Sequence, residues 1–281
     1  MPSVATAELV AAARLSGQGV AAFNVITLEH AEAITTAAER TGLPVVLQIS
    51  ENAVKFHGGR VEPVVAAAAA VARCASVPVS LHLDHVEDEE LLRAGVAAGV
   101  SSVMFDASKL SYEDNVAATA RITSWAHGQG VWVEAELGEV GGKDGAHAPG
   151  VRTDPAEAAA FTAATGVDAL AVAVGSSHAM TERTASLDLE LIGRLRDAVP
   201  VPLVLHGSSG VPNEVLRRAV GAGMVKVNIG TALNIAFTGA VREHLAADAA
   251  VVDPRRYLRP ARDAMTEAAA HLLTVVAGKE A

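Results

Sequence analysis

The chain has 281 residues, a size typical of one β/α barrel, and no stretch of it has the composition of an interdomain linker. Its formal net charge of −10 argues against nucleic acid or an anionic membrane as a partner, because both need a basic surface. The first residues lack the basic and apolar regions of a signal peptide, and the longest apolar run is too short to span a bilayer. Since Cys74 is the only cysteine, we expect a cytoplasmic protein. From the length and the lack of a linker, we expect one domain over residues 1–281.

Eight short apolar runs alternate with segments of helical spacing. They predict strands over residues 20–25, 44–50, 78–84, 101–106, 131–137, 168–175, 201–207 and 224–230. Helix start signals stand between the runs, such as Asp154 before Pro155. Eight strand–helix alternations in a chain of this length predict a (β/α)8 barrel, the TIM barrel. A doubly wound open sheet is the alternative, but the glycine-rich sequence typical of it does not follow the first strand.

Polar residues collect at the carboxyl ends of the predicted strands. In a barrel these ends converge on one mouth, although the residues are scattered through the sequence. One or two polar strand ends would be ordinary helix caps, whereas a polar end on every strand predicts a shared active site. The residues are Asn24, Ser50, Asp84, His85, Asp106, Glu134, Glu136, His178, His206 and Asn228.

Three of these residues are histidines that directly follow apolar runs: His85, His178 and His206. Three protein ligands with one open position are typical of catalytic zinc, so we predict that they bind zinc. Strand alternation turns His82 to the face opposite His85, where it would support the site or pack in the core. Asp84 is next to a ligand but should point elsewhere, which suits a general acid or base, with a helix cap as the alternative.

Glu134 and Glu136 share one strand face and could face the barrel interior. Paired buried carboxylates are costly unless a cation or a hydrogen-bond network holds them. Together with Asp106, they are candidates to support the site or to lie near a second cation.

Two short turns and one long segment complete the predicted mouth. HGSSG (206–210) and NIGT (228–231) follow the last two strands, where barrels commonly bind phosphate through backbone N–H groups. The glycine-rich segment 138–152 is the longest irregular stretch, and such loops often act as active-site lids. It carries Glu139, Asp144 and His147, any of which could enter the site.

In combination, these motifs resemble the class II, zinc-dependent ketose-bisphosphate aldolases, nearest to the shorter fructose- or tagatose-bisphosphate type. The resemblance covers nearly the whole chain and is carried by LHLDH, SVMFDAS, VEAELGEVGG, TDPAEAAAFTAATGVDALAVAVGSSH, PLVLHGSSG, KVNIGT and DPR. It implies a lyase of carbohydrate metabolism, a homodimer or homotetramer. Such an enzyme reversibly cleaves a ketose 1,6-bisphosphate to dihydroxyacetone phosphate (DHAP) and glyceraldehyde 3-phosphate.

The resemblance also implies a role for individual residues. Zinc falls on His85, His178 and His206, and the catalytic acid/base on Asp84. The other implied contacts involve both halves of the substrate. They are Asn228 on the DHAP carbons; Gly207, Ser209, Thr231 and the backbone of Ala179 on its phosphate, with Na⁺ or K⁺ nearby; Asn24 and Ser50 near the aldehyde half; and Arg255, which reaches a neighbouring subunit's second phosphate.

The chain departs from the family pattern in the 138–152 segment. Lys143 and Asp144 stand where the family has the glutamate that abstracts the DHAP proton, so Asp144 is the candidate base. Alanines replace the usual residues at three further positions: Ala107, Ala179 and Ala232. The stereochemistry at C4, fructose or tagatose, stays open.

Two other functions are compatible with parts of the pattern. A metal-dependent sugar-phosphate epimerase or isomerase would also need zinc and a phosphate site, but it normally uses two acid/base carboxylates on opposite faces of its substrate. A non-catalytic partner subunit of an aldolase is the second alternative. The presence of Asp84 and all three histidines argues against it.

Overall fold

The computed structural model of the protein describes residues 3–137, 152–177 and 180–279. Eight parallel strands close a barrel in sequence order, and the last strand pairs with the first. The predicted (β/α)8 barrel is confirmed. The strands are β1 (Val20–Asn24), β2 (Val45–Ser50), β3 (Val79–Val86), β4 (Ser102–Phe105), β5 (Trp132–Glu136), β6 (Ala169–Ala171), β7 (Leu203–Leu205) and β8 (Met224–Ile229).

Helices surround the barrel and begin where the sequence supplies caps. Asp154 accepts hydrogen bonds from the N–H groups of Ala156 and Glu157, and Pro155 is the first residue of its helix. In the described part of the chain the helices are α1 (Thr6–Ser16), α2 (Leu28–Thr41), α3 (Glu51–Phe56), α4 (Val61–Cys74), α5 (Glu89–Ala97), α6 (Tyr112–His127), α7 (Pro155–Thr165), α8 (Leu189–Ala198), α9 (Asn213–Ala222), α10 (Thr231–Ala247) and α11 (Pro254–Val276), with a 3₁₀ turn at Ser208–Gly210.

Two apolar layers and one polar layer fill the molecule. Residues that point outward from the strands, such as Phe23, Leu47 and Leu170, form one large core with the helices. Inside the barrel, a smaller cluster that includes Leu9 and Val46 closes the amino-terminal end beneath α1. Towards the carboxyl ends the buried interior is polar. The side chains suited to catalysis therefore lie at this end of the barrel.

The strand boundaries differ from the predicted ones in two ways. Strands β6 and β7 have three residues each, shorter than their apolar runs. Strand β3 extends beyond Asp84 to Val86, with a register irregularity between Leu83 and Val86. His85 therefore lies within a strand and not after it. Its φ of 49° makes it the one non-glycine residue with a left-handed backbone among those described.

No helix in the described ranges is long and apolar enough to cross a membrane. Cys74 is exposed at the end of α4.

Gly19 is placed where the strand β1 approaches the end of α11, and its replacement tests this contact. Its N–H donates to Val276 O at 3.1 Å, and an added Cβ would lie 2.7 Å from that oxygen. We expect Gly19→Ala to lower the free energy of unfolding by about 1–3 kcal/mol in urea denaturation. The control is Gly193→Ala in α8, where a Cβ meets open space, which should raise stability by roughly 0.5–1 kcal/mol. Similar changes at both positions would contradict a tight β1–α11 contact.

Candidate active site

A cavity of about 540 Å³ opens at the carboxyl ends of the strands. Its lining includes eight of the predicted site residues: Asn24, Ser50, Asp84, His85, Gly207, Ser209, Asn228 and Thr231. His206, Glu134 and Glu136 are buried, at 0%, 0% and 2% exposure. The barrel thus brings together residues that are up to about two hundred positions apart in the sequence.

The unusual backbone of His85 decides how the site is built. Ligand atoms of Asp84, His85 and His206 all lie within 4.8 Å of one another. Regular alternation would turn consecutive residues of β3 to opposite faces, which is why Asp84 was expected to point away from His85. The closeness of their ligand atoms shows that this expectation is wrong. The positive φ of His85 and the register irregularity interrupt the alternation. As a result, two adjacent polar side chains enter one site.

A carboxylate fixes the orientation of the His85 ring. Nδ1 of His85 donates to Asp106 Oδ2 at 2.8 Å, and Asp106 Oδ1 accepts from the N–H of Ser108 at 3.3 Å. A neutral imidazole has one donor nitrogen and one acceptor nitrogen. Donation by Nδ1 therefore makes Nε2 the ligand atom of His85.

A second carboxylate holds His206 in the opposite tautomer. Nε2 of His206 donates to Glu134 Oε1 at 2.8 Å, which makes Nδ1 its ligand atom. Burial, together with the nearby His85, holds the pKa of His206 well below its usual value of 6.5. The ring is therefore neutral at pH 7, as metal ligation requires.

This donor set fits zinc. Imidazole nitrogens are common zinc ligands, and their other ring nitrogens usually donate to carboxylates, as both do here. In a second compatible group, His85, Asp106 and Glu136 have ligand atoms within 4.8 Å of one another. His178 and Ala179 lie outside the described residues, so the third predicted ligand and one predicted phosphate contact are not among them.

Asp84 is buried among amide donors. Its carboxylate lies 3.4 Å from Gln48 Nε2 and 3.3 Å from Asn228 Nδ2, and Gln48 also donates to Asn24. The pKa of His82, whose Nε2 lies 3.9 Å from Asp84 Oδ1, is held well below 6.5 by burial and by the charge of Lys226. His82 donates or accepts at Ser102 Oγ over 2.8 Å. It faces the same interior as Asp84, where it supports the site from below.

Sequence reasoning missed two residues of this interior, Gln48 and Lys226. Lys226 is 0% exposed, and its Nζ donates to Glu134 Oε2 at 2.8 Å and to Asn228 Oδ1 at 2.7 Å. Both residues stand two positions before a predicted mouth residue, Ser50 or Asn228. Strand alternation would therefore have found them on the same face.

Small residues form the side of the cavity that follows β7 and β8. Gly207 has φ 65°, and an added Cβ would lie 2.6 Å from the backbone of Ser177, so only glycine fits there. Ser209 Oγ accepts the N–H of Ala232 at 3.1 Å, within the first turn of α10, which begins at Thr231. A helix N-terminus and small turns allow an anion to approach backbone N–H groups.

Charged residues that were not predicted form the side that follows β2 and β3. Burial raises the pKa of Glu51, but hydrogen bonds from Lys55 and from the N–H groups of Glu87 and Asp88 outweigh it, so this pKa is lowered. Lys55 Nζ lies 2.7 Å from Glu51, and Lys109 Nζ lies 2.9 Å from Glu87. Two ammonium groups thus line this side of the cavity.

One predicted feature is not among the residues that line the cavity, and another lies almost entirely outside the described residues. Arg255, whose side chain is 87% exposed, pairs with Asp253 at the start of α11, away from the residues that line the cavity. Of the predicted lid at 138–152, residues 138–151 lie outside the described residues, including Glu139, Asp144 and His147.

A closed parallel barrel with buried imidazole–carboxylate pairs at one end of its strands defines a TIM-barrel enzyme. Over residues 4–280 the chain matches the family model described as fructose-bisphosphate aldolase class-II. It belongs to this family, as the sequence motifs predict, and is a lyase.

Individual relatives agree with this assignment. The chain is 41% identical over 269 residues to a fructose-bisphosphate aldolase of Geobacillus stearothermophilus, covering 94% of this chain and 93% of the relative. It resembles the crystal structure of the YdjI aldolase from Escherichia coli K12 with a TM-score of 0.87 and 32% identity, over 99% of this chain and 98% of the other. A fructose-bisphosphate aldolase from Campylobacter jejuni, at 24% identity and a TM-score of 0.82 over 99% and 97% of the two chains, shows the shared fold.

Proposed function

We propose that the protein is a zinc-dependent aldolase that reversibly cleaves a fructose- or tagatose-type ketose 1,6-bisphosphate to DHAP and glyceraldehyde 3-phosphate. The observation that carries this proposal is the cluster of Asp84, His85 and His206 beside a cavity that is also lined by Gly207, Ser209 and Thr231. His85, His206 and His178 would hold the zinc. Zinc bound there would act as a Lewis acid, worth several kcal/mol to the negative charge that develops when the carbon–carbon bond breaks.

Asp84 would move the proton of the C4 hydroxyl. In cleavage it removes this proton, and in condensation it returns a proton to the aldehyde oxygen. The amides of Gln48 and Asn228 keep its carboxylate directed at the cavity. Asp144 would exchange the proton on the DHAP carbon, in the place of the family's glutamate.

The two sides of the cavity would receive different ends of the substrate. Gly207, Ser209 and Thr231, with the backbone of Ala179 and a Na⁺ or K⁺ ion, would hold the DHAP phosphate, while Asn228 contacts its carbons. Asn24 and Ser50 would lie near the aldehyde half. Ser50 Oγ also caps α3 by accepting the N–H of Ala53 at 3.2 Å, which fixes the position of its hydroxyl.

We propose a homodimer or homotetramer in the cytoplasm, with Arg255 of one subunit serving the site of another. Helix α10 supports this proposal because Leu233 is its one buried residue, while Ile235 and Leu245 are exposed. Val252, at 90% exposure, lies just before α11. Exposed apolar residues mark a protein interface where they form one contiguous patch, and Val252 lies three positions before Arg255 in the sequence.

Zinc should be essential for cleavage. Chelation should abolish DHAP release in a coupled assay, and added zinc should restore it, because the two imidazoles and Asp84 offer no equivalent Lewis acid. Borohydride added with substrate should leave no adduct on any lysine by mass spectrometry, including the buried Lys226. Full activity in metal-free protein, or a reduced imine on Lys226, would contradict the proposal. The same assay of DHAP release, with ketose phosphates that differ in configuration at C4, would identify the substrate.

Asp84→Asn should slow cleavage by roughly 10²–10⁴-fold, because the amide cannot take up the hydroxyl proton. Zinc content, measured by elemental analysis, should remain that of the unaltered protein, since His85 and His206 keep their carboxylate partners. Loss of zinc in the folded variant would instead make Asp84 a ligand, as its distance from both histidines also allows.

Arg255→Ala should raise the KM for a ketose bisphosphate and scarcely change that for a ketose 1-phosphate, because the exposed guanidinium would bind the distal phosphate of a neighbouring site. Arg256→Ala is the matched control, since Arg256 pairs with Asp248 at 3.2 Å. Co-expression of Arg255→Ala with Asp84→Asn should restore activity, because mixed oligomers then contain sites with both residues. No restoration would mean that Arg255 does not act across subunits.

A further inference from the structure

Lys226 is the buried cation of the barrel interior. It lies on β8 with 0% exposure, and its ammonium has two hydrogen-bond acceptors, Glu134 Oε2 at 2.8 Å and Asn228 Oδ1 at 2.7 Å. A lysine is seldom fully buried without a charged partner, because its ammonium loses its hydration. Glu134, also 0% exposed, is in the same position, so each charge makes the burial of the other tolerable.

Glu134 connects Lys226 to His206. While one carboxylate oxygen accepts from Lys226, the other accepts from His206 Nε2 at 2.8 Å. A carboxylate held at one oxygen cannot rotate freely at the other. The ammonium therefore fixes the acceptor that gives His206 its tautomer, and with it the nitrogen that is presented to a metal.

Asn228 connects Lys226 to the cavity. An ammonium group can only donate, so the amide atom that faces Lys226 must be the oxygen Oδ1. The amide nitrogen is consequently turned towards the cavity, where Nδ2 lies 3.3 Å from Asp84 Oδ1. One ammonium group thus orients a side chain on the metal side and a side chain on the substrate side.

We propose that Lys226 is a positioning residue that aligns His206 through Glu134 and the substrate-facing amide through Asn228. The proposal rests on the proposed function for the identity of the metal and the substrate. Lys226 itself touches neither of them. Its role differs from that of an ion pair that only stabilises the fold, because loss of such a pair would change stability and leave the folded site unaltered.

Lys226→Met, which keeps the length of the side chain and removes the donors, separates these roles. We expect its zinc affinity, from chelator competition well below the unfolding temperature, to fall about 10–100-fold. The KM for the ketose bisphosphate should rise about tenfold, the effect of one misdirected hydrogen bond. In the metal-free variant, ¹⁵N NMR of the histidine rings should show His206 as a mixture of tautomers, whereas the unaltered protein shows one.

Two further variants serve as controls. Ile34→Ala on α2 removes fully buried core contacts away from the cavity and should lower the unfolding temperature without changing zinc affinity or the tautomer. Lys226→Leu, which also removes the donors, takes the place of Lys226→Met if that variant does not fold, and the same three changes are expected. Lys226→Arg should recover part of the zinc affinity if the larger group is accommodated.

A folded Lys226→Met or Lys226→Leu variant with unaltered zinc affinity and a single His206 tautomer would overturn the proposal and leave Lys226 a structural residue. The failure of the proposed function gives a different result. In that case the unaltered protein binds zinc and shows one His206 tautomer, yet releases no DHAP from any ketose bisphosphate.

Discussion

The site depends on two hydrogen bonds from imidazole to carboxylate, His85 to Asp106 and His206 to Glu134. They select opposite ring nitrogens as ligands. Two histidines from opposite parts of the barrel can therefore direct their ligand nitrogens at the same point. Such bonds are strong only in a water-poor interior, where an unpaired carboxylate would be costly. The closed barrel provides this interior, and Lys226 supplies the buried Glu134 carboxylate with a cationic partner.

The site depends equally on the left-handed backbone of His85, which lets two adjacent residues of β3 enter the barrel interior. A regular strand would send either Asp84 or His85 out of the barrel, and the acid/base group could not lie beside a ligand. Backbone conformations of this kind are unfavourable for residues with a Cβ and persist where the surrounding structure enforces them. Here the pairing of β3 with β2 on one side and the bond to Asp106 on the other hold the segment in place.

The sequence allowed prediction of the barrel and of most of its mouth, because apolar periodicity and polar strand ends are local signals that a parallel barrel assembles in only one way. The backbone of His85 could not be predicted, since nothing in LHLDH indicates a positive φ. Gln48 and Lys226 were not predicted because the polar signal was read only at the strand ends, although the interior two residues deeper is also polar. The charges around Glu51 depend on contacts between α3 and the segment after β3, which no spacing encodes. The role predicted for Arg255 comes from the family resemblance, because no local pattern around an exposed arginine at the start of a helix indicates a role in a partner's site.

An acidic protein that receives a substrate with two phosphate groups must offset the long-range repulsion with local contacts. With a net charge of −10, the chain gains nothing from long-range attraction of phosphate. The cavity meets this with neutral hydroxyls, a glycine turn and a helix N-terminus on one side, and with Lys55 and Lys109 on the other. Both lysines are already paired with glutamates, so they hold the net charge of that side near zero and do not attract anions strongly. Affinity for the substrate must therefore come from short-range contacts with its phosphates.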